Sequence, residues 1–183
     1  DAPGNSDGNG VFAVGTTAYM VRTNDAGNNE FVILNCSTPS APSLVGSADL
    51  ATTGNSVVVI GSNAYIASAD TARELIVVSI AIPTAPAIIG VLDITGSNSG
   101  LWVNGFGTTI LMSLDTGSLR VINVAAPTAP TLTGTYTTGG QANRFSLGNT
   151  KNYVFLATNN ASAEFQVISI ATPASPSLVG SLN

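Results

Sequence analysis

The fold of this chain is decided by one stretch, LIVVSIAIPTAPAIIG, which runs from residue 75 to residue 90. An apolar run leads to two prolines, Pro83 and Pro86, and a second apolar run then ends at Gly90. Short β-branched runs that are bounded by proline and glycine predict β-strands joined by a sharp corner. Because proline lacks an amide donor, we expect the run after the corner to be an edge strand.

The same arrangement occurs four times in the chain. The first prolines of successive pairs are 44, 44 and 46 residues apart, and a glycine follows each second proline by four residues. The pairs are Pro39/Pro42, Pro83/Pro86, Pro127/Pro130 and Pro173/Pro176. Two more short apolar runs open each unit, so each unit has four predicted strands. The first strand is expected to end at a glycine that turns tightly into the second strand: Gly15, Gly61, Gly105 and Gly148. A period of about 45 residues with four strands is typical of β-propeller blades.

The sequence therefore predicts an all-β protein, a β-propeller of four four-stranded blades. We expect an extended lead-in over residues 1–10 and one propeller-like domain over 11–183, with repeats at 11–54, 55–98, 99–142 and 143–183. The four blades could close into a four-bladed ring, or form half of a larger ring that another chain or missing repeats complete. An open form would expose large apolar blade faces, which predicts self-association.

These residues resemble a known family. The segments Ala-Tyr-Ile-Ala at 64–67, Leu-Arg-Val-Ile-Asn-Val at 119–124, Pro-Thr-Ala-Pro at 127–130 and Leu-Val-Gly-Ser at 44–47 are similar to the LVIVD repeat of bacterial and archaeal surface proteins. The resemblance implies propeller blades, surface exposure and interaction. Many members carry Asp at the end of the third strand, where this chain has Asn35, Ser79, Asn123 and Ser169. A role that needs a carboxylate there is therefore not expected.

The composition excludes several classes of site. The chain has no histidine and one cysteine, so it can hold no Ser-His-Asp or Cys-His site, no histidine-ligated metal and no disulfide framework. Its net charge of −5 with five basic residues argues against nucleic-acid binding. The strongest apolar run, residues 75–82, is far shorter than the roughly 20 residues that cross a bilayer. Only 8% of the residues are charged, which favours an extracellular or cell-surface location.

Candidate binding residues are few. Trp102 could pack between blades like other first-strand apolar residues, but its ring is also large enough to line an axial pocket. Asp25, Asp70 and Asp115 lie in the loops between the second and third strands, where oxygen-rich side chains could hold calcium. Asx side chains also stabilise turns by themselves, and we expect that role. The sequence predicts no other cofactor and no catalytic residue.

Two further sets have alternative interpretations. Glu30, Glu74 and Glu164 precede the third strand in three units, where two carboxylates could act as acid and base on a glycoside; we expect charged residues at solvated strand entries instead. The tyrosines Tyr19, Tyr65 and Tyr153, with Ile110 in the third unit, are interpreted as equivalent core positions between blades. Asn160 heads an Asn-Ala-Ser sequon in a loop and is a candidate glycosylation site.

Together these features favour a non-enzymatic extracellular or cell-surface β-propeller. We expect it to act as an interaction or structural module, by adhesion or as a subunit of a surface assembly. Its expected partners are other protein chains or further copies of itself, and glycans under one alternative. That alternative is a carbohydrate-binding module that stacks sugars on Trp102. The other is a glycosidase or lyase that uses axial carboxylates.

Overall fold

The computed structural model describes residues 6–25, 27–96 and 98–183. Sixteen strands form four sheets of four antiparallel strands, and none of these residues lies in a helix. Within each sheet the strands follow one another in chain order. The predicted all-β, four-blade propeller architecture is thus confirmed.

The strand bounds follow the four repeats. The first blade has β1 (Gly8–Val14), β2 (Thr17–Arg22), β3 (Phe31–Asn35) and β4 (Ser43–Ala48). The second has β5 (Gly54–Ile60), β6 (Asn63–Ser68), β7 (Leu75–Ser79) and β8 (Ala87–Leu92). The third has β9 (Gly100–Phe106), β10 (Thr109–Leu114), β11 (Ser118–Asn123) and β12 (Thr131–Thr137). The fourth has β13 (Ala142–Leu147), β14 (Tyr153–Thr158), β15 (Phe165–Ser169) and β16 (Ser177–Leu182).

The first strand of each blade packs on the first strand of the next, so β1, β5, β9 and β13 form the inner row. Side chains alternate between the two faces of each blade. We call the face that meets the preceding blade the front face; in the second blade it carries Val57, Ile66 and Val78. The opposite, back face carries Val58, Tyr65 and Val77 and meets the third blade.

Three apolar cores join the blades. The back face of the first blade packs on the front face of the second, the second packs likewise on the third, and the third on the fourth. Both faces of the inner blades are therefore buried, which is why a strand such as β7 is apolar at four consecutive positions before Ser79. No core among the described residues joins the fourth blade to the first.

The outer faces of the two end blades are exposed at positions that the repeat buries elsewhere. On the back face of the fourth blade, Phe165 is 42% exposed, whereas its equivalents Phe31, Leu75 and Leu119 are fully buried. On the front face of the first blade, Val11 is 67% exposed, whereas its equivalent Val57 is 4% exposed. The described residues therefore form an open arc of four blades.

The hairpin turns correct two sequence interpretations. The first three blades turn from strand one to strand two through Gly15, Gly61 and Gly107, all with φ near +60°. The third turn uses Gly107 and not Gly105, which lies inside β9. In the fourth blade the turn is longer, and Lys151 takes the left-handed conformation at φ 60°.

The longer turn changes which side chains are equivalent. Tyr19 of the first blade pairs with Ile33, and Tyr65 of the second pairs with Val77. At the equivalent pairing position, the third blade has Leu111 and the fourth has Phe155. The expected equivalence of Tyr153 and Ile110 with the two tyrosines is therefore wrong. Because a two-residue shift keeps a side chain on the same face, an alternating pattern alone does not reveal the shift of Tyr153.

The blade boundaries differ slightly from the sequence expectation. Residues 1–5 of the expected lead-in lie outside the described residues, and β1 already begins at Gly8. The segment is held in its sheet by pairing with β2, and the side-chain amide of Asn9 also donates to the carbonyl of Gly54 in the second blade, at 3.0 Å. The other first strands begin at Gly54, Gly100 and Ala142, within one residue of the predicted repeat starts.

Candidate functional site

A cavity of about 270 Å³ lies at the opening of the arc, between the front face of the first blade and the inner strands of the third and fourth blades. It is lined by Trp102 of β9, Arg144 of β13, Met20 of β2 and the stretch from Gly8 to Val11 of β1. The lining contains no carboxylate. The sequence expectation that Trp102 could line an axial pocket therefore agrees with its place in the fold, and its role in binding stays a prediction.

Trp102 and Arg144 occupy the same register position in neighbouring blades, opposite Ser113 and Ala157. The guanidinium carbon of Arg144 lies 4.4 Å from the centroid of the Trp102 ring. Such a cation–π contact contributes about 0.5–1 kcal/mol at an exposed site. The indole nitrogen of Trp102 is buried and has no hydrogen-bond acceptor among the described residues. The pair combines an aromatic face with a positive charge at the cavity wall.

The three candidate aspartates lie in three separate loops, and each has partners of its own. The carboxylate of Asp25 accepts a hydrogen bond from the side chain of Asn28, at 3.2 Å. Asp115 accepts from the amide of Ser99, at 2.9 Å. Within residues 6–25, 27–96 and 98–183, no three acidic or cysteine side chains cluster as metal ligands do. The Asp25 bond lies within its own loop, whereas the Asp115 bond ties its loop to the residue before β9, and calcium binding stays a prediction.

Asp70 is the most constrained of the three. Its carboxylate accepts from the amide of Ala72, at 2.9 Å, and from Nε of Arg73, at 2.8 Å. The Ala72 amide is the larger cause, and Arg73 the second, of a pKa lowered below the ordinary value of 3.8. In the fourth blade Asn160 takes the same place, and its side-chain oxygen accepts from Ser162, at 3.0 Å.

The glycosylation candidate is already engaged. The side-chain nitrogen of Asn160, the atom that a glycan would modify, donates to the carbonyl of Thr138, at 3.2 Å. Modification would replace one of the two hydrogens on this nitrogen, so the glycan would have to leave beside the bond to Thr138. Glycosylation of Asn160 stays a prediction with this structural constraint.

Two of the three glutamates that precede a third strand are buried and do not lie at solvated strand entries, so the expectation is wrong for those two. Glu30 and Glu74 are 1% and 0% exposed. Each accepts the amide of the segment that leads to the next blade: Glu30 from Leu50 at 2.7 Å, and Glu74 from Ile94 at 2.8 Å. Burial raises the pKa of Glu74 above its ordinary value of 4.5. Glu164, at the equivalent place in the fourth blade, is exposed.

A further set of contacts, not foreseen from the sequence, locks neighbouring blades together. A Cβ atom on Gly46 of β4 would overlap the carbonyl oxygen of Pro83 in the next blade. The same holds for Gly90 against Pro127, and for Gly134 against Pro173. The signal was present in the sequence as the glycine that recurs four residues after each second proline. At Gly180, the fourth member, nothing lies within 4 Å of such a Cβ.

Solved structures with the same fold are distant in sequence. A protein of Bacteroides fragilis described as a "putative 6-phosphogluconolactonase" superposes with a TM-score of 0.77 at 11% identity, over 95% of this chain and 56% of that one. The computationally designed protein Ika4 superposes with a TM-score of 0.70 at 8% identity, over 92% of this chain and 95% of that one. The designed protein Ika8 superposes with a TM-score of 0.71 at 10% identity, over 96% and 49%.

These likenesses show the fold alone. The chain spans about half the length of the Bacteroides protein and of Ika8. No curated protein matches the sequence. Where the structure describes the chain, no helix has the length and apolar character needed to cross a membrane.

The family is shown by the repeats themselves. The model of the LVIVD repeat matches residues 25–50, 53–94, 114–138 and 139–183. These ranges cover most of the chain, and they overlap all four blades. This chain belongs to the LVIVD-repeat family.

Proposed function

We propose that this chain is a non-enzymatic interaction module that builds a larger extracellular or cell-surface assembly through the outer faces of its end blades. One observation carries the proposal: Phe165 and Val11 are exposed at positions where the repeat otherwise buries its apolar side chains. We call these surfaces the end faces. The register of the strands assigns Val11, Met20 and Leu34 of the first blade to the front end face, and Phe155, Phe165 and Leu182 of the fourth to the back end face.

The energetic support is the hydrophobic effect. Burial of apolar surface contributes about 25 cal/mol per Å². Monomeric soluble proteins rarely expose contiguous apolar patches of more than roughly a few hundred Å², and patches above that size mark interaction sites. Phe155 and Phe165 stack with centroids 6.3 Å apart and planes at 7°, so the back end face offers a flat, ordered apolar surface.

The non-enzymatic part is supported by how the carboxylates are used. Glu30 and Glu74 are buried against backbone amides, and the cavity beside Trp102 has no carboxylate in its lining. The likeness to the Bacteroides protein, at 11% identity, supports the fold and not its lactonase description. Hydrolysis of a sugar lactone or a glycoside that Glu30→Gln, Glu74→Gln or Glu164→Gln abolishes would contradict this part.

The extracellular part is supported by the surface chemistry. Charged residues make up 8% of the chain, and many of its exposed residues are Ser, Thr, Asn or Gly. Immunodetection in fractionated cells checks the location. Recovery in the cytoplasmic fraction alone would contradict it, and recovery at the surface or in the medium would support it.

The assembly part is tested by measuring the native mass over a range of concentrations. We expect particles larger than the 18.4 kDa chain, which substitution of an end-face residue by aspartate dissociates. Ile82→Asp is the matched control, because Ile82 is as exposed as the end-face residues but lies at the corner of the second blade, away from both end faces. A chain that stays monomeric at all concentrations would contradict the proposal.

A second candidate function is carbohydrate binding in the cavity, and the Trp102–Arg144 pair favours it. Aromatic faces stack on sugar rings, and an arginine would add recognition of an acidic sugar. Because Trp102 is the one tryptophan of the chain, its fluorescence reports on this cavity alone. A saturable change with neutral or acidic sugars, lost in Arg144→Gln for the acidic ones, would support it. A flat titration with both classes would contradict it.

A further inference from the structure

We propose that two copies of this chain close head to tail into one eight-bladed ring. The back end face of each copy would pack on the front end face of the other. This inference rests on the proposed function and names its partner as a second copy of the chain.

The first argument is the complementarity of the two end faces. All three cores of the chain join a back face to a front face. The exposed surfaces are one back face, on the fourth blade, and one front face, on the first. They are therefore the two halves of a fourth junction of the type that the chain already makes three times.

The second argument is the glycine–proline contact. In each existing junction, a glycine of the fourth strand receives the carbonyl of the first corner proline in the following blade. At Gly180 the corresponding space is empty, with no atom within 4 Å of where a Cβ would lie. The corner proline without a glycine from a preceding blade is Pro39 of the first blade. A head-to-tail junction would bring Gly180 of one copy against Pro39 of the other.

The third argument is a recurring side-chain bridge between the inner strands. Asn9 donates to the carbonyl of Gly54, at 3.0 Å, and Asn55 donates to the carbonyl of Gly100, at 2.7 Å. Leu101 takes this position in the third blade, and Asn143 takes it in the fourth. Asn143 is exposed, and no side-chain bond of it is found among the described residues. Its acceptor in the proposed ring is the carbonyl of Gly8 in the second copy.

The number of copies follows from the shape of the arc. The same four blades superpose on 49% of Ika8 and on 56% of the Bacteroides protein, so they match about half of two longer propeller chains, and they superpose on 95% of the shorter Ika4 chain. Head-to-tail contacts produce a closed ring when the rotation between copies closes, and an open filament when it does not. An arc that is half of a ring closes with two copies.

The experiment measures the mass and the dissociation constant by sedimentation or light scattering. For the unmodified chain we expect a particle of twice 18.4 kDa whose mass does not rise further with concentration. Val11→Asp on the front end face and Leu182→Asp on the back end face should each raise the dissociation constant at least tenfold. Both residues are exposed, at 67% and 68%, so neither substitution removes a buried contact of the single chain. The control Ile82→Asp, 63% exposed and on neither end face, should leave the constant unchanged.

A mixture of the two variants tests the head-to-tail direction. Each variant alone carries one damaged face in both junctions of the ring. A mixed pair joins the intact back face of Val11→Asp to the intact front face of Leu182→Asp, so one junction is fully native. We expect the mixture to form dimers at a concentration where each variant alone is monomeric. Gly180→Val, at a position without a positive φ, should weaken the dimer as Leu182→Asp does.

The remaining outcomes separate this inference from the proposed function. A filament or a larger oligomer that both aspartate variants dissociate would overturn the two-copy ring and leave the assembly function standing. A dimer that only one of the two variants dissociates would overturn the head-to-tail arrangement. A monomer at every concentration would overturn both the ring and the assembly function.

Discussion

Gly90 of the second blade lies directly beneath the carbonyl oxygen of Pro127 in the third, so close that a Cβ atom on the glycine would overlap that oxygen. The oxygen belongs to the backbone of a proline corner, which cannot swing aside as a flexible side chain could. The contact explains why a glycine and a proline recur together in each repeat: the glycine of one blade makes room for the corner of the next.

The first prediction concerns this contact. Gly90→Ala should lower the free energy of unfolding by about 1–3 kcal/mol, because overpacking a close junction forces the backbone to shift. Urea denaturation measures it. Gly8→Ala is the matched control, since its Cβ would meet only the Met20 sulfur at an ordinary 3.5 Å. Equal stability of the two variants would show that the blades can move apart without cost.

The second prediction concerns Glu74. Because burial raises its folded pKa above 4.5, its contribution to stability is full below that value and is lost as the pH rises through the folded pKa. Glu74→Gln, which keeps an oxygen for the Ile94 amide, should therefore gain stability relative to the unmodified chain as the pH increases. Denaturation of both proteins at several pH values between about 4 and 8 checks this.

The control for this prediction is Glu164→Gln, at the equivalent but exposed position in the fourth blade. The difference in stability between Glu164→Gln and the unmodified chain should not change with pH as the difference for Glu74→Gln does. Parallel pH curves for Glu74→Gln and the unmodified chain would contradict the prediction. Glu74→Ala tests the hydrogen bond separately, and should cost about 1–3 kcal/mol because it leaves the Ile94 amide buried without an acceptor.

The third prediction concerns Asp70. The lowered folded pKa means that its stabilising contribution is present above pH 3.8 and is lost as the pH falls through the folded value. Asp70→Asn should keep the Ala72 bond, as Asn160 keeps the equivalent bond, and should lose only the ion pair with Arg73. We expect a cost of less than about 1 kcal/mol at pH 7. A cost that persists unchanged at pH 2 would contradict this account.

The fourth prediction concerns the Trp102–Arg144 contact. A double-mutant cycle of Arg144→Met and Trp102→Leu should give a coupling of about 0.5–1 kcal/mol, the range of an exposed cation–π pair. Arg144→Met keeps an apolar chain of similar length, so the cycle isolates the charge. The emission of Trp102 should also shift in Arg144→Met, and no other tryptophan obscures it. A coupling near zero would mean that the two side chains are merely adjacent.

The sequence predicted less about the candidate sites than about the fold. It identified Trp102 as a residue that could line a pocket, because the indole ring is large enough to reach from a first strand to the axis. It placed Glu30 and Glu74 at solvated strand entries, and they are buried. Their burial depends on the segment that joins one blade to the next, whose amides at Leu50 and Ile94 come from 20 residues further along the chain.

By itself, the sequence determined that the chain is four all-β blades, because turn residues and apolar runs repeat at a fixed period and a blade buries its faces only against neighbours. The tertiary structure alone decided which side chains are equivalent in the third and fourth blades, since only the turns at Gly107 and Lys151 set the register. It also decided that Val11 and Phe165 are exposed. An apolar residue reads the same in a sequence whether or not another blade covers it, so the open ends of the arc become visible only when the blades are placed in space.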